Sequence, residues 1–386
     1  MPKLIRVTTV PLALQQLLRG QMKYMKEAGF DVIMVSGNGK EWQDVIDFEN
    51  CPYRIISMTR KITPFQDLKS LWRLYTLFKR EKPDIVHSHT PKAGLLSMLA
   101  ARMAGVKIRI HTVAGLRFMT SVGLTRRILI AMEKLTGNAA TQIWPNSLSL
   151  KKYMEENKLA AARKIEVIGK GSSNGIDLTR FSKEKLCATG IEKAKELIGY
   201  KQGLIYLLSV GRIVKDKGIA ELVKAFATLY KQNDKLRLIL VGNFEEKLDP
   251  LDEECMQTIQ SHPGIIFTGW HNDVEYFMNI AHILVHPSHR EGFPNVLLQA
   301  GAMECPIVCS GIEGNIDIVE ENVSGLIFTV KDERDLAEKL ATAIAEPQKM
   351  KIMSQLLRKK IEQDFDRKYV QAMLKEKYEH LIKTKS

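Results

Sequence analysis

The chain has 386 residues, of which 45% are apolar and 26% are charged, values typical of a folded globular protein. This length exceeds what one ordinary hydrophobic core organises, so we expect two domains. No apolar run reaches the roughly 18 residues that a membrane span requires. Because Gln15, Gln16 and Arg19 interrupt the apolar N-terminal stretch, we expect a first strand and helix there rather than a signal peptide.

The net charge of +13 is unevenly distributed along the chain. Residues 1–190 contain 31 Lys and Arg against 15 Asp and Glu, whereas residues 191–386 contain 26 against 29. A basic first half predicts an anionic partner: a membrane surface, a nucleic acid or a phosphorylated substrate. The five cysteines are scattered, so we expect reduced thiols in a cytoplasmic protein and no zinc site.

Short apolar runs rich in β-branched residues alternate with helical patterns along the whole chain. Near-continuous apolarity predicts parallel sheets buried on both faces. Two such series predict an α/β protein with two facing, doubly wound Rossmann-like domains and an active site in the cleft between them. The runs are Leu4–Thr9, Asp31–Ser36, Tyr53–Ser57, Asp84–His87, Ile108–Thr112, Thr141–Pro145 and Glu166–Ile168, then Ile205–Val210, Leu236–Val241, Ile265–Thr268, Ile283–His286, Ile307–Ser310 and Leu326–Phe328.

These series define the expected domains. We expect an N-terminal domain over residues 1–177, a C-terminal domain over residues 178–364, and a last helix over residues 365–386 that packs back on the N-terminal domain. The glycine-rich stretch 169–175 precedes the boundary and is not a dinucleotide fingerprint, because it follows the last strand of its domain. It is either a linker or a phosphate contact.

Two segments of the first domain combine apolar and basic residues. Residues 60–82 place an apolar stripe on one face of a helix, which either lies on an anionic membrane or packs on the sheet. Residues 117–127 are a second candidate for contact with lipid or with a lipid-diphosphate acceptor. The stripe comprises Leu68, Leu71, Trp72, Tyr75 and Phe78, and the basic residues around it are Arg60, Lys61, Lys69, Arg73, Lys79, Arg80 and Lys82.

Several histidines lie at predicted strand ends. On the acceptor side, His87, His89 and His111 each either orient an acceptor or are structural histidines with satisfied hydrogen bonds. The same alternatives hold for His286 and His289 in the second half.

Residues 209–218, Ser-Val-Gly-Arg-Ile-Val-Lys-Asp-Lys-Gly, follow a predicted strand and open a helix over Ile219–Tyr230. Gly211 permits a sharp turn, and Gly218 permits close approach of the backbone to a ligand. Arg212 offers a planar fork and Lys217 a compact charge, and both suit a diphosphate beyond the strand's carboxyl end. The alternative is a basic, solvated loop.

Residues 286–295, His-Pro-Ser-His-Arg-Glu-Gly-Phe-Pro-Asn, also follow a strand and precede a helix. Pro294 suits a first helical turn, and the amides around Gly292–Asn295 would face an anion or a sugar hydroxyl. Glu291 can accept hydrogen bonds from sugar hydroxyls. Alone the segment could be a Gly-Pro loop with a surface glutamate, but the two segments together favour a phosphate site.

With Phe267-Thr268-Gly269-Trp270, these motifs resemble glycosyltransferase family 4, a retaining group with the GT-B fold that builds bacterial cell-surface polysaccharides. The likeness covers nearly the whole chain, and residues 86–94 and 171–177 resemble its lipid-linked-sugar subgroup. It implies that Arg212 and Lys217 hold the donor diphosphate, that Glu291 contacts the donor sugar, and that the turn at Gly269–His271 holds a uracil base. The other implied donor-side residues are Gly211, Trp270, His271, Gly292, Phe293, Pro294, Asn295 and Gln299.

Three positions depart from the family pattern. Gln299 stands eight residues after Glu291, where the family usually has a second glutamate that binds the ribose, so we expect somewhat weaker nucleotide binding. The first loop reads Thr8-Thr9-Val10-Pro11-Leu12-Ala13 in place of paired glycines. Ala114-Gly115 stands where many members have a histidine before a glycine.

The resemblance implies a retaining hexosyltransferase that moves a sugar from a nucleoside-diphosphate sugar, UDP-HexNAc or UDP-hexose, to a lipid-diphosphate-linked sugar in capsule or glycan assembly. Arg212 and Lys217 would stabilise the departing diphosphate. We expect no metal and no cofactor beyond the nucleotide sugar, because no predicted loop carries an Asp-x-Asp triplet that could bind a metal. The acidic run Asp252-Glu253-Glu254 fits a solvated helix start. We expect a peripheral position on the inner face of the plasma membrane. The hypothesis fails if both cations are turned away, or are held by acids with no room for a nucleotide.

Three alternatives stay open at this point. A nucleotide-sugar epimerase on the same architecture would need acid and base carboxylates and no acceptor. A nucleic-acid-binding protein would account for the charge, but no recognisable binding motif is present. A non-catalytic nucleotide-sugar sensor would keep Arg212 and Lys217 without turnover.

Overall fold

The structure is a computed structural model that describes residues 1–59, 63–245 and 249–385. The chain divides into two compact units, one formed by Met1–Gly175 with Arg367–Ser386 and the other by Ile176–Asp366. Each unit contains a six-stranded parallel sheet with helices packed around it. The predicted α/β class with two doubly wound sheets is confirmed.

The sheet of the first unit has the strand order β3-β2-β1-β4-β5-β6. Its strands are β1 (Lys3–Val7), β2 (Asp31–Ser36), β3 (Tyr53–Ile55), β4 (Ile85–His89), β5 (Ile108–Val113) and β6 (Gln142–Pro145). Its helices are α1 (Pro11–Leu17), α2 (Gln21–Glu27), α3 (Trp42–Glu49), α4 (Pro64–Glu81), α5 (Pro91–Ala104), α6 (Gly123–Ala139) and α7 (Leu148–Glu156).

The sheet of the second unit has the order β12-β11-β10-β7-β8-β9. Its strands are β7 (Ile205–Val210), β8 (Leu236–Val241), β9 (Ile265–Gly269), β10 (Ile283–His286), β11 (Ile307–Ser310) and β12 (Leu326–Phe328). Its helices are α8 (Ala188–Leu197), α9 (Ile219–Tyr230), α10 (Glu253–Ser261), α11 (Val274–Ile280), α12 (Asn295–Ala302), α13 (Asn315–Ile318), α14 (Glu333–Ala345) and α15 (Pro347–Asp364). The last helix, α16 (Arg367–Lys385), belongs to the first unit.

The strands are apolar because both faces of each sheet are covered. In β1, Ile5 and Val7 face one core, and Leu4 faces the other core together with side chains of α2, α3 and α16. Arg6 is the exception, since it is a charged residue in this strand and only 1% of it is exposed.

One predicted strand is wrong. Within the described part of the chain, residues 166–168 form no strand of the first sheet, and an isolated bridge joins the preceding residue, Ile165, to Ile143. The amide of Glu166 donates to the carbonyl of Ile143 at 3.0 Å, and the chain then turns at Gly169, whose φ is +60°. A single bridge at a sheet edge is too short to form a ladder.

The strand order reverses beside the first strand of each unit, between β1 and β4 and between β7 and β10. At such a switch point the two following loops diverge, which leaves a crevice beyond the carboxyl ends of the strands. In the second unit these two loops are residues 211–218 and 287–294. The topology therefore brings together the two motifs that the sequence singles out.

Across residues 1–59, 63–245 and 249–385, none of the helices combines the length and apolarity that a transmembrane span requires. Within the same residues, no group of three or more His, Cys, Asp or Glu side chains is arranged to hold a metal ion. Asp252 is the N-cap of α10, where its carboxylate accepts from the amide of Cys255 at 2.9 Å.

Candidate active site

The loop after β7 and the loop after β10 pack closely because Gly218 has no side chain. Gly218 has a φ of +65°, and a Cβ built on it would lie 2.0 Å from the carbonyl oxygen of Pro287. The sequence predicts that Gly218 permits close approach of the backbone to a ligand, and this stays a prediction. The structure adds another requirement for glycine, since the place of a side chain at Gly218 is occupied by the backbone of Pro287.

An ion pair between Arg290 and Asp216 also joins the two loops. The Arg290 Nε and Nη2 atoms each lie 2.8 Å from Asp216 Oδ2. The carbonyl of Asp216 accepts from the amide of His289 at 2.9 Å, and its amide donates to the Asp249 carboxylate at 2.6 Å. No local pattern indicated this pair, although the two motifs carry opposite charges at these positions.

Lys217 of the loop after β7 and Glu291 of the loop after β10 form an ion pair. Their side chains are 21% and 16% exposed. The Nε2 atom of His286 lies 3.2 Å from the same carboxylate oxygen, Oε1, but is not aligned for a hydrogen bond. Burial alone would raise the pKa of Glu291, but Lys217 and His286 lower it well below its usual range. Glu291 is therefore a half-buried, ionised carboxylate.

Arg212 lies on the outer side of the same loop. Its Nη1 atom donates to Glu245 Oε2 at 2.6 Å, and its side chain is 46% exposed. An ion pair this exposed contributes only about 0–1 kcal/mol, so breaking it costs little. Arg212 is accessible to solvent despite its partner.

The sequence hypothesis fails if the two cations are turned away or held by acids with no room for a nucleotide. Both lie at the carboxyl edge of the sheet, but both are paired, Lys217 with Glu291 and Arg212 with Glu245. The Arg212 pair is exposed and weak. Glu291 is itself the residue expected to contact the donor sugar. Any anion that bound to both cations would have to rearrange these contacts.

The two histidines of the second motif have different surroundings. His289 Nε2 lies 2.9 Å from Glu221 Oε1 on α9, which favours a structural role. The Nε2 atom of His286 has no hydrogen-bond partner within the described part of the chain and faces Glu291.

The turn after β9 lies next to the β8 loop. Gly269 has a φ of +76°, and its carbonyl accepts from the amide of Gly242 at 2.8 Å. His271 Nε2 lies 3.1 Å from the carbonyl of Thr268, so this nitrogen carries the proton, while Trp270 is 51% exposed. One backbone acceptor of the predicted base-binding turn is therefore already occupied.

The remaining predicted donor residues surround the start of α12. Pro294 is the N-cap residue, one position before the predicted first turn. Phe293 is buried, and its ring lies 5.2 Å from that of Phe365. Asn295 and Gln299 are half-buried on α12. Gly292 is buried next to Gly314, where a Cβ would lie 2.7 Å from the Gly292 carbonyl oxygen.

Comparison with known proteins identifies the family. The model described as "Glycosyl transferases group 1" matches residues 191–360, and "Glycosyl transferase 4-like domain" matches residues 14–171. The capsular polysaccharide biosynthesis glycosyltransferase CapM of Staphylococcus aureus is 35% identical over 381 residues, which are 99% of this chain and 98% of CapM. The chain belongs to glycosyltransferase family 4.

This glycosyltransferase has further relatives and structural neighbours. The UDP-Gal:alpha-D-GlcNAc-diphosphoundecaprenol alpha-1,3-galactosyltransferase of Escherichia coli is 26% identical over 94% of this chain and 93% of its own. The structure of Anabaena Alr3699/HepE in complex with UDP has a TM-score of 0.80 at 18% identity, over 98% of this chain and all of that one. The predicted GT-B fold with two Rossmann-like domains is confirmed.

In the first unit of the glycosyltransferase, the three predicted acceptor-side histidines are buried. His87, His89 and His111 are 1%, 3% and 2% exposed. His111 Nδ1 lies 3.0 Å from Ser88 Oγ, and a Cβ on Gly94 would lie 2.3 Å from the His111 ring. These contacts favour a structural role for His111, packed between β5 and α5.

The other two histidines surround Arg6, a buried charge that no sequence motif indicated. Arg6 Nη1 lies 2.5 Å from His87 Nδ1, and Nη2 lies 2.7 Å from His89 Nε2. Arg6 also donates to Tyr378 of α16 and to Gln21. Burial and the nearby guanidinium hold the pKa values of both histidines well below the usual range, so the neutral rings can accept these hydrogen bonds. This cluster connects α16 to the first sheet.

We predict that the first unit is sensitive to acid through His111. Burial lowers the pKa of His111 to about 4, from about 6.5 in the unfolded chain. As the pH falls, the unfolded chain therefore binds a proton at a higher pH than the folded chain does. Stability that is present above pH 6.5 is lost as the pH falls towards 4. By linkage the loss is about 2 kcal/mol between pH 7.5 and pH 5.

Urea unfolding at these two pH values measures this contribution. His111→Gln should reduce the difference between the two free energies of unfolding by about 2 kcal/mol. The exposed His380 serves as a control, because His380→Gln should leave the difference unchanged. Equal pH dependence in the unaltered protein and in His111→Gln would contradict the prediction.

Proposed function

We propose that this glycosyltransferase moves a hexose or N-acetylhexosamine, with retention, from a UDP-sugar to a lipid-diphosphate-linked sugar during assembly of a surface polysaccharide. Relatives support this proposal: CapM is named for capsular polysaccharide biosynthesis, and the Escherichia coli relative is named for transfer from UDP-Gal to GlcNAc-diphosphoundecaprenol. The likeness to both extends over more than nine-tenths of the chain.

The Lys217–Glu291 pair carries the proposal. A lysine that contacts the donor diphosphate and a carboxylate that contacts the sugar attached to it must be close neighbours, and this ion pair makes them so. Arg212 lies on the same loop and is accessible to a second phosphate oxygen. Its planar fork and the lysine ammonium together suit a diphosphate.

The main barrier in the proposed reaction is the negative charge that develops on the leaving group. As the bond from the sugar anomeric carbon to the phosphate oxygen breaks, negative charge develops on the diphosphate, and Lys217 and Arg212 stabilise it. The acceptor hydroxyl forms the new bond on the same face of the sugar, and its proton passes to the departing diphosphate. No metal or other cofactor takes part in this proposal.

A donor screen tests the proposal. UDP-glucose, UDP-galactose and their N-acetylhexosamine counterparts are incubated with undecaprenyl-diphosphate sugars, and UDP release is measured. Release that requires an acceptor supports transfer. Release without any acceptor, or conversion of one UDP-sugar into another, contradicts it.

We also propose that the first unit contacts an anionic membrane. The residues of the predicted stripe on α4 differ in exposure: Phe78 is buried in the core, whereas Leu68 and Trp72 are 65% and 61% exposed. Phe65, near the start of the same helix, is 93% exposed. At the start of α6, Leu124 is 72% exposed. Arg60 and Lys61 lie outside the described residues, as does the side chain of Arg117.

The arrangement of the helices brings these side chains to one edge of the unit. Crossover helices run antiparallel to the strands they connect, so α4 and α6 both begin at the carboxyl edge of the first sheet. Both helices pack against α5. Exposed Lys69, Arg73, Arg126 and Arg127 add positive charge near the apolar groups. Aromatic and basic residues together favour binding to an anionic lipid surface.

Replacing Phe65 and Trp72 together by serine should weaken binding to phosphatidylglycerol vesicles at least tenfold, measured by sedimentation at low salt. Each of the two substitutions removes an exposed aromatic ring that would enter the lipid interface. The matched control replaces Ile352 and Leu356, which are 59% and 43% exposed on α15 of the second unit, and should leave binding unchanged. Equal binding by both double variants would refute the proposed surface.

Family membership sets aside the epimerase and the nucleic-acid-binding protein as accounts of the main activity. The basic charge of the first half is instead assigned to the membrane surface and to the phosphates of the lipid-linked acceptor. A salt-dependent loss of vesicle binding would accompany this assignment.

A further inference from the structure

The Glu291 carboxylate has two neighbours that can carry positive charge. Lys217 is ion-paired with Oε1, and His286 Nε2 lies 3.2 Å from the same oxygen. His286 is 5% exposed, and its Nε2 atom has no hydrogen-bond partner in the described part of the chain. A buried imidazole nitrogen 3.2 Å from a carboxylate oxygen is placed to donate a charge-assisted hydrogen bond to it when the ring is protonated.

The proposed function gives Lys217 two partners. Without donor it neutralises Glu291, and with donor it must turn its ammonium towards the diphosphate. Weakening the contact with Glu291 leaves a mostly buried carboxylate without its cation, which is costly. The carboxylate would then either take up a proton, and cease to be a strong acceptor for sugar hydroxyls, or require another cation.

We infer that His286 is a positioning residue that takes up a proton and replaces Lys217 as the partner of Glu291 when the donor diphosphate binds. This inference rests on the proposed function. The proton comes from solvent and adds to Nε2, the nitrogen that faces Oε1. Glu291 thereby stays ionised and fixed in place while it contacts the donor sugar.

The charges around His286 favour this exchange. Lys217 repels a proton on the imidazole, and that repulsion weakens as its ammonium moves to the diphosphate. Glu291 attracts the proton in both states. Cys309, the register partner of His286 on β11, is an uncharged thiol because burial raises its pKa. The Asp216–Arg290 pair in the same loops carries no net charge.

Calorimetry measures how many protons the protein takes up when UDP binds. UDP is titrated into the full-length protein at pH 7.5 in two buffers of different ionisation enthalpy, and the difference in heat gives the protons taken up. His286→Gln should take up fewer protons, by up to one, and should bind UDP about tenfold more weakly, since it loses a charge-assisted contact. Any proton that UDP itself gains or loses on binding contributes equally for both proteins, so it cancels when their proton uptakes are compared. His380→Gln is the control and should behave like the unaltered protein.

A second variant keeps the test valid if His286→Gln folds poorly. Glu291→Gln removes the carboxylate that needs a cation, so it should also lose the proton uptake, and adding His286→Gln to it should change the uptake no further. Equal uptake by the unaltered protein and either single variant overturns the inference and leaves the proposed function standing. Failure of the unaltered protein to bind UDP, GDP and ADP overturns both.

Discussion

Replacing Lys217 by alanine should lower kcat for sugar transfer by about 10²–10³-fold, because the departing diphosphate loses a preformed cationic donor. Arg212→Ala should cost about 3 kcal/mol of transition-state stabilisation, or roughly 150-fold. Steady-state measurement of acceptor-dependent UDP release checks both values. Lys215→Ala is the matched control, since this exposed lysine occupies the same short turn and should retain full activity.

Loss of activity in Lys217→Ala must be separated from unfolding, because the variant leaves Glu291 half-buried without its cation. A double change of Lys217→Met with Glu291→Gln removes both charges and should recover stability without recovering activity. If this double variant were active, or if Lys215→Ala were as impaired as Lys217→Ala, the role assigned to Lys217 would be wrong.

Gly218→Ala should destabilise the second unit by more than 3 kcal/mol and abolish transfer. The new Cβ would lie 2.0 Å from the Pro287 carbonyl oxygen, so the two loops of the site would have to separate. The backbone adds to this cost, because φ at Gly218 is +65°, where alanine is disfavoured. Urea unfolding and the transfer assay measure the two effects.

Gly199 provides a control with the same backbone conformation. Its φ is +59°, and a Cβ built on it would meet nothing within 4 Å. Gly199→Ala should therefore cost only about 1 kcal/mol of conformational strain and keep its activity. Similar losses in the two variants would mean that backbone strain, rather than loop separation, explains the effect at Gly218.

The strands and the two donor loops could be predicted because their signals are local. Continuous apolar runs such as Leu236–Val241 indicate buried parallel strands, and this strand has the predicted bounds. The helix predicted over Ile219–Tyr230 likewise has those bounds, since Gly218 precedes it and apolar residues recur at helical spacing. The strand wrongly predicted at residues 166–168 shows the limit of such local signals, because a run of three residues is too short to indicate whether it pairs with a sheet.

The partners of the site residues could not be predicted. The sequence indicated that Arg212, Lys217 and Glu291 lie near a donor, but not that Lys217 and Glu291 bind each other. Likewise, helical periodicity on α4 predicted one apolar stripe and could not tell that Trp72 is exposed while Phe78 is buried. Which side chains are covered depends on neighbouring elements that are distant in the sequence.

The sequence by itself determined the family, the two parallel sheets and the residue types at the donor loops, because these depend on apolar runs, glycines and charges within a few neighbouring positions. Only the tertiary structure decided which charges meet. Arg6 and Tyr378 lie at opposite ends of the chain, and Lys217 and Glu291 come from different loops. Such contacts arise when the strand order of a folded sheet places distant segments side by side, and no local pattern records that order.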